Sequence, residues 1–386
     1  MNHSVQEFSP EDYQYMARAI ELAKKGHYTT SPNPRVGCVL VNNNRVIGEG
    51  YHQKAGEGHA EVNAIRAAKQ NNPSLLKGAT AYVTLEPCSH FGLTPPCSKA
   101  LVDVGVTCVV SAMVDPNPKV SGNGIRILEN AGVVTRTGLL ENEAKALNIG
   151  FIKRMTTGLP FVRCKLAASL DGKTAMKSGQ SKWITNVQAR SDVQRFRAQS
   201  CAVITGSDSV MTDNAKMTVR YSELGELQKD YPEQTLRQPL RVVIDSQNRL
   251  TPDLALFKSS SAILIIRTTL ENLHTWPHYV EQVQLPAVSN ENSKVDLNAL
   301  LRLLAKRGMN EVLLESGATL AGAFFEQELV DELVLYQAPK LLGGDGKNLI
   351  EMPNIQALEQ AKKLTVFDVS MVGQDIRITA RVSKAI

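Results

Sequence analysis

Early in the chain, His59, Glu61, Cys88 and Cys97 have the types and spacing to do chemistry together. One imidazole and two thiolates can hold a zinc ion whose fourth position stays open for water, while a nearby carboxylate that is not a ligand moves protons. Zinc lowers the pKa of the water it holds from about 15.7 towards about 7, which supplies hydroxide at neutral pH. Glu61 would take the proton from that water and deliver it to a ring nitrogen and then to a departing amine, a shuttle worth roughly 10²–10⁴ in rate. That chemistry is the hydrolytic deamination of a nucleobase-like ring.

The general signature for it is H-x-E followed by P-C-x-x-C. His59-Ala60-Glu61 fits the first half, whereas Pro87-Cys88-x8-Cys97 stretches the second. The bland alternatives are a structural zinc site or two unrelated buried cysteines. A structural site closes with a fourth protein ligand, and the nearest further cysteine, Cys108, lies in the apolar run 106–110, where it reads as a strand core residue.

These side chains need elements to aim them. Ser9-Pro10-Glu11-Asp12 is a helix start, with Ser9 as cap and Pro10 at the first helical position; Tyr13, Met16, Ala17, Ile20 and Ala23 follow at helical spacing until Gly26. The turn 31–35 leads into a strand over 36–41, and a second strand over 45–51 completes a hairpin. Asn33, between two prolines, reads either as a side chain aimed at a ligand or as a plain turn asparagine; His52 faces either the same pocket or solvent. A helix over 59–69 places His59 and Glu61 in its first turn, and a strand over 80–85 delivers Cys88. Cys97 opens a further helix to about Val104, and 107–115 is another strand. Beyond it, 115–124 reads as a connector, or as a place where Gly122-Asn123-Gly124 gathers backbone N–H groups near a phosphate. Helices over 125–131 and 141–153 close the unit.

Alternating strands and helices make this an α/β layered domain. A break at 152–160 separates it from the rest, giving domains of 1–150 and 151–386. With 386 residues, 43% of them hydrophobic and 21% charged, the chain is globular and long enough for two domains. A net charge of +5 suits anionic small substrates as readily as nucleic acid. Six scattered cysteines do not form a disulfide framework. The N-terminus lacks the pattern of a signal peptide, and no apolar run approaches the roughly 18–20 residues of a membrane span. A soluble cytoplasmic protein is expected.

Asn33-Pro34-Arg35-Val36-Gly37, His59-Ala60-Glu61 and the run from Pro87 to Cys97 resemble the deaminase half of the bifunctional riboflavin biosynthesis enzymes. The resemblance implies a cytidine-deaminase-like α/β/α fold, with Asn33, His52 and His90 as substrate contacts. The run from Phe161 to Ala175, with Lys165 and the turn Ser169-Leu170-Asp171-Gly172, resembles the reductase half. That half has a dihydrofolate-reductase-like α/β fold, so the absence of G-x-G-x-x-G does not argue against a nicotinamide cofactor.

Further landmarks keep the family's order, and the resemblance carries roles onto them. Lys165 and Asp213 would act at the reacting ribose carbon. Ser181, Met217 and Glu315 would contact the substrate, and Arg197 and Arg220 its phosphate, to which a guanidinium is suited. In any generic protein Arg197 is a solvated helix charge and Trp183 a core anchor. Ala167, Trp183, Ser209, Asp213, Ser246, and the turn Gly317, Ala318, Thr319, Leu320, Ala321, Gly322, Ala323 would line NADPH. Ala215-Lys216 and Met217 depart from the family's usual proline, neutral residue and leucine after Asp213-Asn214. The expected reactions are zinc-dependent deamination of a diaminopyrimidinone bearing a ribosylamino 5-phosphate, then NADPH-dependent reduction of its ribosyl group to ribityl. The implied partners are these small phosphorylated pyrimidines, with no nucleic acid, no membrane and a homo-oligomer as the assembly. The rival is a nucleic-acid base deaminase with a C-terminal binding domain, which predicts basic patches interleaved with aromatics; aromatics are only 5% here.

Overall fold

The structure, a computed structural model, describes residues 7–89, 95–118, 120–270, 274–288 and 294–383. It divides into two compact units, Met1–Gly158 and Leu159–Ile386.

The first unit runs α1 (Pro10–Lys24), β1 (Gly37–Asn42), β2 (Arg45–Tyr51), α2 (Ala60–Asn71), β3 (Thr80–Val83), α3 (Cys97–Asp103), β4 (Cys108–Ser111), α4 (Asn123–Asn130), β5 (Val134–Thr137), α5 (Glu141–Leu147) and α6 (Ile149–Thr157). Its sheet has the order β2-β1-β3-β4-β5, antiparallel at the β1 hairpin and parallel from β3 onward. Strand alternation explains the layers: Cys38 and Leu40 of β1 join a core with α2, α3 and α4, while Val39 and Val41 face α1, α5 and α6. Ser9 caps α1 in a capping box with Asp12, as its sequence predicts.

Two differences from the sequence reading have local causes. Asn148 breaks the expected 141–153 helix in two, because its side chain accepts from the Arg35 N–H at 2.8 Å and donates to the Arg35 carbonyl at 2.9 Å. Residues 149–157 then pack Phe151, Ile152 and Met155 into the first unit's core, so the units divide at Gly158, inside the expected 152–160 break but beyond the 150/151 boundary drawn from it.

The second unit contains β6 (Phe161–Ser169), β7 (Lys173–Ala175), α7 (Val187–Gln199), β8 (Ala202–Gly206), α8 (Ser207–Asp213), α9 (Leu227–Asp230), β9 (Leu240–Ile244), β10 (Ile263–Arg267), β11 (Val280–Gln284), α10 (Leu297–Lys306), β12 (Glu311–Glu315), α11 (Ala318–Glu326), β13 (Glu332–Ala338), β14 (Lys347–Asn348), β15 (Leu364–Val372) and β16 (Asp375–Val382). A sheet of order β11-β10-β9-β8-β12-β6-β13-β16-β15 is parallel as far as β13 and antiparallel at β16 and β15. The inner parallel strands are largely apolar and buried because helices cover both faces. Leu300, Leu301 and Leu304 of α10 and Phe324 and Phe325 of α11 fill one side; Phe196 of α7 and Val210 of α8 pack on the other.

Candidate active sites

In the first unit the glycines of β2 set the geometry. A Cβ on Gly48 would lie 2.4 Å from the Ala64 carbonyl oxygen, and one on Gly50 2.3 Å from the Ala64 nitrogen. With Ala60, Ala64 and Ala68 facing them, α2 lies directly on the strand. That close packing fixes the start of α2, where His59 is the N-cap and Glu61 sits in the first turn.

The expected ligands converge. His59, Cys88 and Cys97 place one ligand atom each within 4.8 Å of one another, the one cluster of its kind among the described residues. His59 Nδ1 lies 3.5 Å from Cys88 Sγ and 3.3 Å from Cys97 Sγ. The Cys97 N–H donates to Cys88 Sγ at 3.3 Å, and Ser98 holds the Cys88 carbonyl through its N–H at 3.3 Å and its hydroxyl at 3.0 Å. Cys108 stands apart on β4. Cys88 is drawn down towards thiolate by the Cys97 thiol and then by the His59 ring, while Cys97 is pushed up beside it. Two adjacent sulfurs that cannot both ionise unaided, with one imidazole nitrogen, are the donor set a zinc ion satisfies.

Glu61 is 3% exposed. Burial, reinforced by the Cys88 charge and opposed by His59, pushes its carboxyl up to about 7, near the working range of a general acid–base group. Asn33 and His52 also meet: the Asn33 amide donates to His52 Nε2 at 3.0 Å, which leaves Nδ1–H to donate to the Gly58 carbonyl at 3.2 Å. His52 is therefore buried, not at the surface, and burial lowers its pKa. Both of its nitrogens are engaged inside the protein. His90 lies outside the described residues.

The Gly122-Asn123-Gly124 nest does gather backbone N–H groups, but the anion in it is the chain's own Glu86. Sequence reading passed over Glu86, although an acidic residue ending an apolar strand is itself a signal. Asn148 offered no such signal, since its partner Arg35 is 113 residues away.

In the second unit Lys165 of β6 and Glu315 of β12 are register partners on neighbouring strands, with α7 over the same face. Arg197 of α7 grips Glu315 with both ends of its guanidinium, Nε to Oε1 at 2.5 Å and Nη2 to Oε2 at 2.9 Å, and its Nη1 donates to the Thr218 carbonyl at 2.9 Å. Arg197 is thus an internal clamp and not a solvated helix charge. Burial, with help from Arg197, draws the Lys165 ammonium below its usual range, against the pull of Glu315. Burial would raise the Glu315 carboxyl, but Arg197 and then Lys165 outweigh it and hold the group low.

The remaining expected residues divide. Asp213 is exposed at the end of α8, its carbonyl accepting from Lys182 Nζ at 3.4 Å. Arg220 is partly exposed and bound to Glu223 in its own turn. Ser181 is half-buried. Trp183 is no core anchor: it is 63% exposed, with the Arg190 guanidinium 4.3 Å from its ring centroid. Met217 turns its side chain into the core with Val203 and Val210, so that side chain packs rather than meeting a ligand.

Some of the residues expected to line NADPH, Ser209 and the Gly317 turn, lie at the ends of the adjacent strands β8 and β12. A Cβ on Gly206 would touch Leu320 at 3.5 Å and one on Gly317 would touch Ser209 Oγ at 3.9 Å, so the two strand-to-helix turns lie side by side. The hydroxyls of Thr205 and Ser316 are buried there without a hydrogen-bond partner among the described residues. A polar ligand laid against small residues fits that arrangement. Ser246 is half-buried, and Ala167 packs beside the core under α7. Of the α11 turn, Gly317 and Thr319 are exposed and Ala318 and Leu320 half-buried, whereas Ala321 and Gly322 are fully covered and Ala323 packs against the core. A Cβ on Gly322 would overlap the Glu351 carbonyl, so the far half of the turn serves packing.

The chain is similar to known proteins along nearly its whole length. Residues 9–113 match the family model described as the cytidine and deoxycytidylate deaminase zinc-binding region, and residues 160–378 match the RibD C-terminal domain. The riboflavin biosynthesis protein RibD of Escherichia coli strain K12 is 49% identical over 95% of this chain and 98% of that protein. The Haemophilus influenzae counterpart is 46% identical over 97% and 98%. Among solved structures, Acinetobacter baumannii RibD superposes with a TM-score of 0.87 at 42% identity, over 97% of this chain and 99% of that one. A Thermotoga maritima diaminohydroxyphosphoribosylaminopyrimidine deaminase/5-amino-6-(5-phosphoribosylamino)uracil reductase gives 0.83 at 33% identity, with the same coverage.

Proposed function

The chain belongs to the RibD family of riboflavin biosynthesis proteins, and from that premise we propose that its two units act in turn on one phosphorylated pyrimidine. It is a deaminase and a reductase, with Zn²⁺ and NADPH as cofactors. A reductase domain in the second half displaces the reading of that half as a nucleic-acid-binding module.

The first unit would remove an amine from 2,5-diamino-6-(5-phosphoribosylamino)pyrimidin-4(3H)-one. The observation that carries this is the convergence of His59 Nδ1 and the Cys88 and Cys97 sulfurs beside the buried Glu61. Zinc, when held by those three groups, supplies a water acidified to near neutral pH. Glu61 takes a proton from the attacking water, gives it to the ring nitrogen and then helps protonate the amine. A C–O bond forms, the C–N bond breaks and ammonia leaves. Asn33, held by His52, contacts the pyrimidine or its ribosylamino group.

The second unit would reduce the ribosyl group of 5-amino-6-(5-phosphoribosylamino)uracil to ribityl. NADPH, when bound, supplies the hydride. Lys165, whose proton is loosened by burial, holds or gives a proton at the reacting centre, with Glu315, itself held by Arg197, as its register partner on the next strand. Asp213 at the end of α8 would act with Lys165 at the same carbon. Arg220, exposed and paired with Glu223 only within its own turn, is more open to substrate than Arg197, which is largely covered; Ser181 and the backbone at Met217 would meet substrate beside it. Ala167, Trp183, Ser209, Ser246 and the near half of the Gly317 turn would line the cofactor.

A homo-oligomer is supported by β15, the edge strand of the large sheet. Phe367, Val369 and Met371 point outward, while Asp368 and Ser370 alternate with them towards Arg377. An edge strand with its apolar side chains in solvent is suited to pairing with a second copy. No described helix is long and apolar enough to cross a membrane, and the free cysteines suit a reducing compartment, so we place the protein in the cytoplasm.

The test is NADPH oxidation by the purified protein, offered the diaminopyrimidinone phosphate and its uracil product separately, before and after zinc removal. Oxidation with both, losing only the diaminopyrimidinone reaction when zinc is stripped, is expected. Absence of oxidation with the uracil compound would overturn the reductase assignment.

A further inference from the structure

We propose that Glu86 is a positioning residue for the zinc ligand Cys88, anchored to the main chain of Met113, Asp115, Gly122, Gly124 and Ile125. The inference rests on the zinc-site reading above. Glu86 ends the stretch that leaves β3, two residues before Cys88, and its side chain is buried. Its own N–H donates to the Met113 carbonyl at 2.9 Å. One carboxylate oxygen, Oε2, accepts the N–H groups of Asp115 and Gly122, each at 3.0 Å. The other, Oε1, accepts those of Gly124 at 2.8 Å and Ile125 at 3.4 Å. All the hydrogen bonds that carboxylate accepts from described residues come from the main chain, so it acts as a bolt between two backbone segments. It also serves the free N–H groups at the start of α4, where a negative charge is favoured.

The bolt lies against the ligand segment. The Pro87 carbonyl, between Glu86 and Cys88, presses on Gly124 so closely that a Cβ there would sit 1.9 Å from its oxygen. Cys88 is therefore held from two sides. Cys97 and Ser98 at the start of α3 grip its sulfur and carbonyl, and Glu86 with Gly124 fixes the backbone that leads into it. Ser98, Glu86 and Gly124 are not metal ligands, yet they set where the Cys88 sulfur stands relative to His59 Nδ1.

Glutamine is the informative replacement. Its amide puts an NH₂ where one oxygen stood, so in either orientation two backbone N–H groups face a donor instead of an acceptor. Removing a group that orients a metal ligand typically costs about 10–100-fold in metal affinity. The experiment uses the full chain loaded with Zn²⁺, and separately with Co²⁺. It follows metal loss to a chelator at 25 °C, the cobalt–thiolate absorption bands, and the melting temperature of the metal-free protein. Wild-type protein should hold one equivalent of zinc; if it holds none, the zinc-site reading itself fails. Glu86→Gln should hold zinc about 10–100-fold more weakly against the chelator and show altered cobalt bands, with NADPH oxidation on the uracil substrate unchanged. Gly124→Ala, whose Cβ would overlap the Pro87 carbonyl oxygen at 1.9 Å and crowd Glu86 Oε1 at 3.2 Å while leaving the Glu86 side chain in place, should do the same. If both variants hold metal and absorb as wild type does, while only the metal-free melting temperature falls, Glu86 serves the fold alone and the proposal is overturned.

Discussion

In the first unit the reactive groups stand at the ends of elements: His59 caps α2, Cys97 opens α3, and Cys88 follows β3. In the second they stand on neighbouring strands, Lys165 beside Glu315 in register, with Arg197 reaching down from a helix. Ends of elements carry unpaired backbone groups, so the first site is fixed by main-chain contacts: the Glu86 bolt, the Ser98 grip on Cys88, and α2 lying on Gly48 and Gly50. The second site is held by a buried ion pair, Arg197 to Glu315, within a sheet whose register is set by its core. A metal site needs several donors placed closely together, which rigid backbone delivers. A reductase site needs a tuned charge, which burial and an ion pair deliver.

The largest effect that can break this comparison is at Glu61. Glu61→Gln should lower ammonia release from the diaminopyrimidinone by roughly 10²–10⁴-fold while one zinc per chain remains by elemental analysis; retained activity would remove Glu61 from the proton path. Lys165→Met is the mirror test and should lower NADPH oxidation on the uracil substrate by roughly 10²-fold, with deamination untouched. A loss of both activities there would mean that the two sites are not separable. Gly50→Ala probes backbone packing rather than chemistry. Its methyl meets the Ala64 nitrogen at 2.3 Å, and forcing such a contact costs about 1–3 kcal/mol. Calorimetry should therefore show a lower melting temperature for the first unit, and dialysis should show weaker zinc retention. The smallest effect on turnover belongs to Phe367→Asp on β15, which should leave both reactions at wild-type rates and shift the mass measured by light scattering to a single chain.

The candidate ligand set was legible because each ligand sits in a short motif, His59-Ala60-Glu61 and Pro87-Cys88, and the residue types of a zinc site are few. The hairpin and the Ser9 cap were legible for the same reason, since alternation and capping act over a few residues. Trp183 and Arg197 were ambiguous alone, and structure decided each: Trp183 stands in solvent and Arg197 is locked to a carboxylate 118 residues away. Met217, Ala321 and Gly322 carried cofactor or substrate roles by motif position, but the fold turns them into its packing. A motif specifies where a residue falls in the chain and not which face it presents.

By itself, then, the sequence determined the donor chemistry of the first site, the order of two α/β domains and the cysteine and charge pattern, because residue type and short spacing carry that information. Tertiary structure alone decided that Glu86 fills the Gly122–Gly124 nest, that Asn148 splits a helix to hold Arg35, and that Arg197 clamps Glu315. Each of these is a hydrogen bond between segments far apart in the chain, and its partner is chosen by how strands and helices stack, which no local window of residues contains.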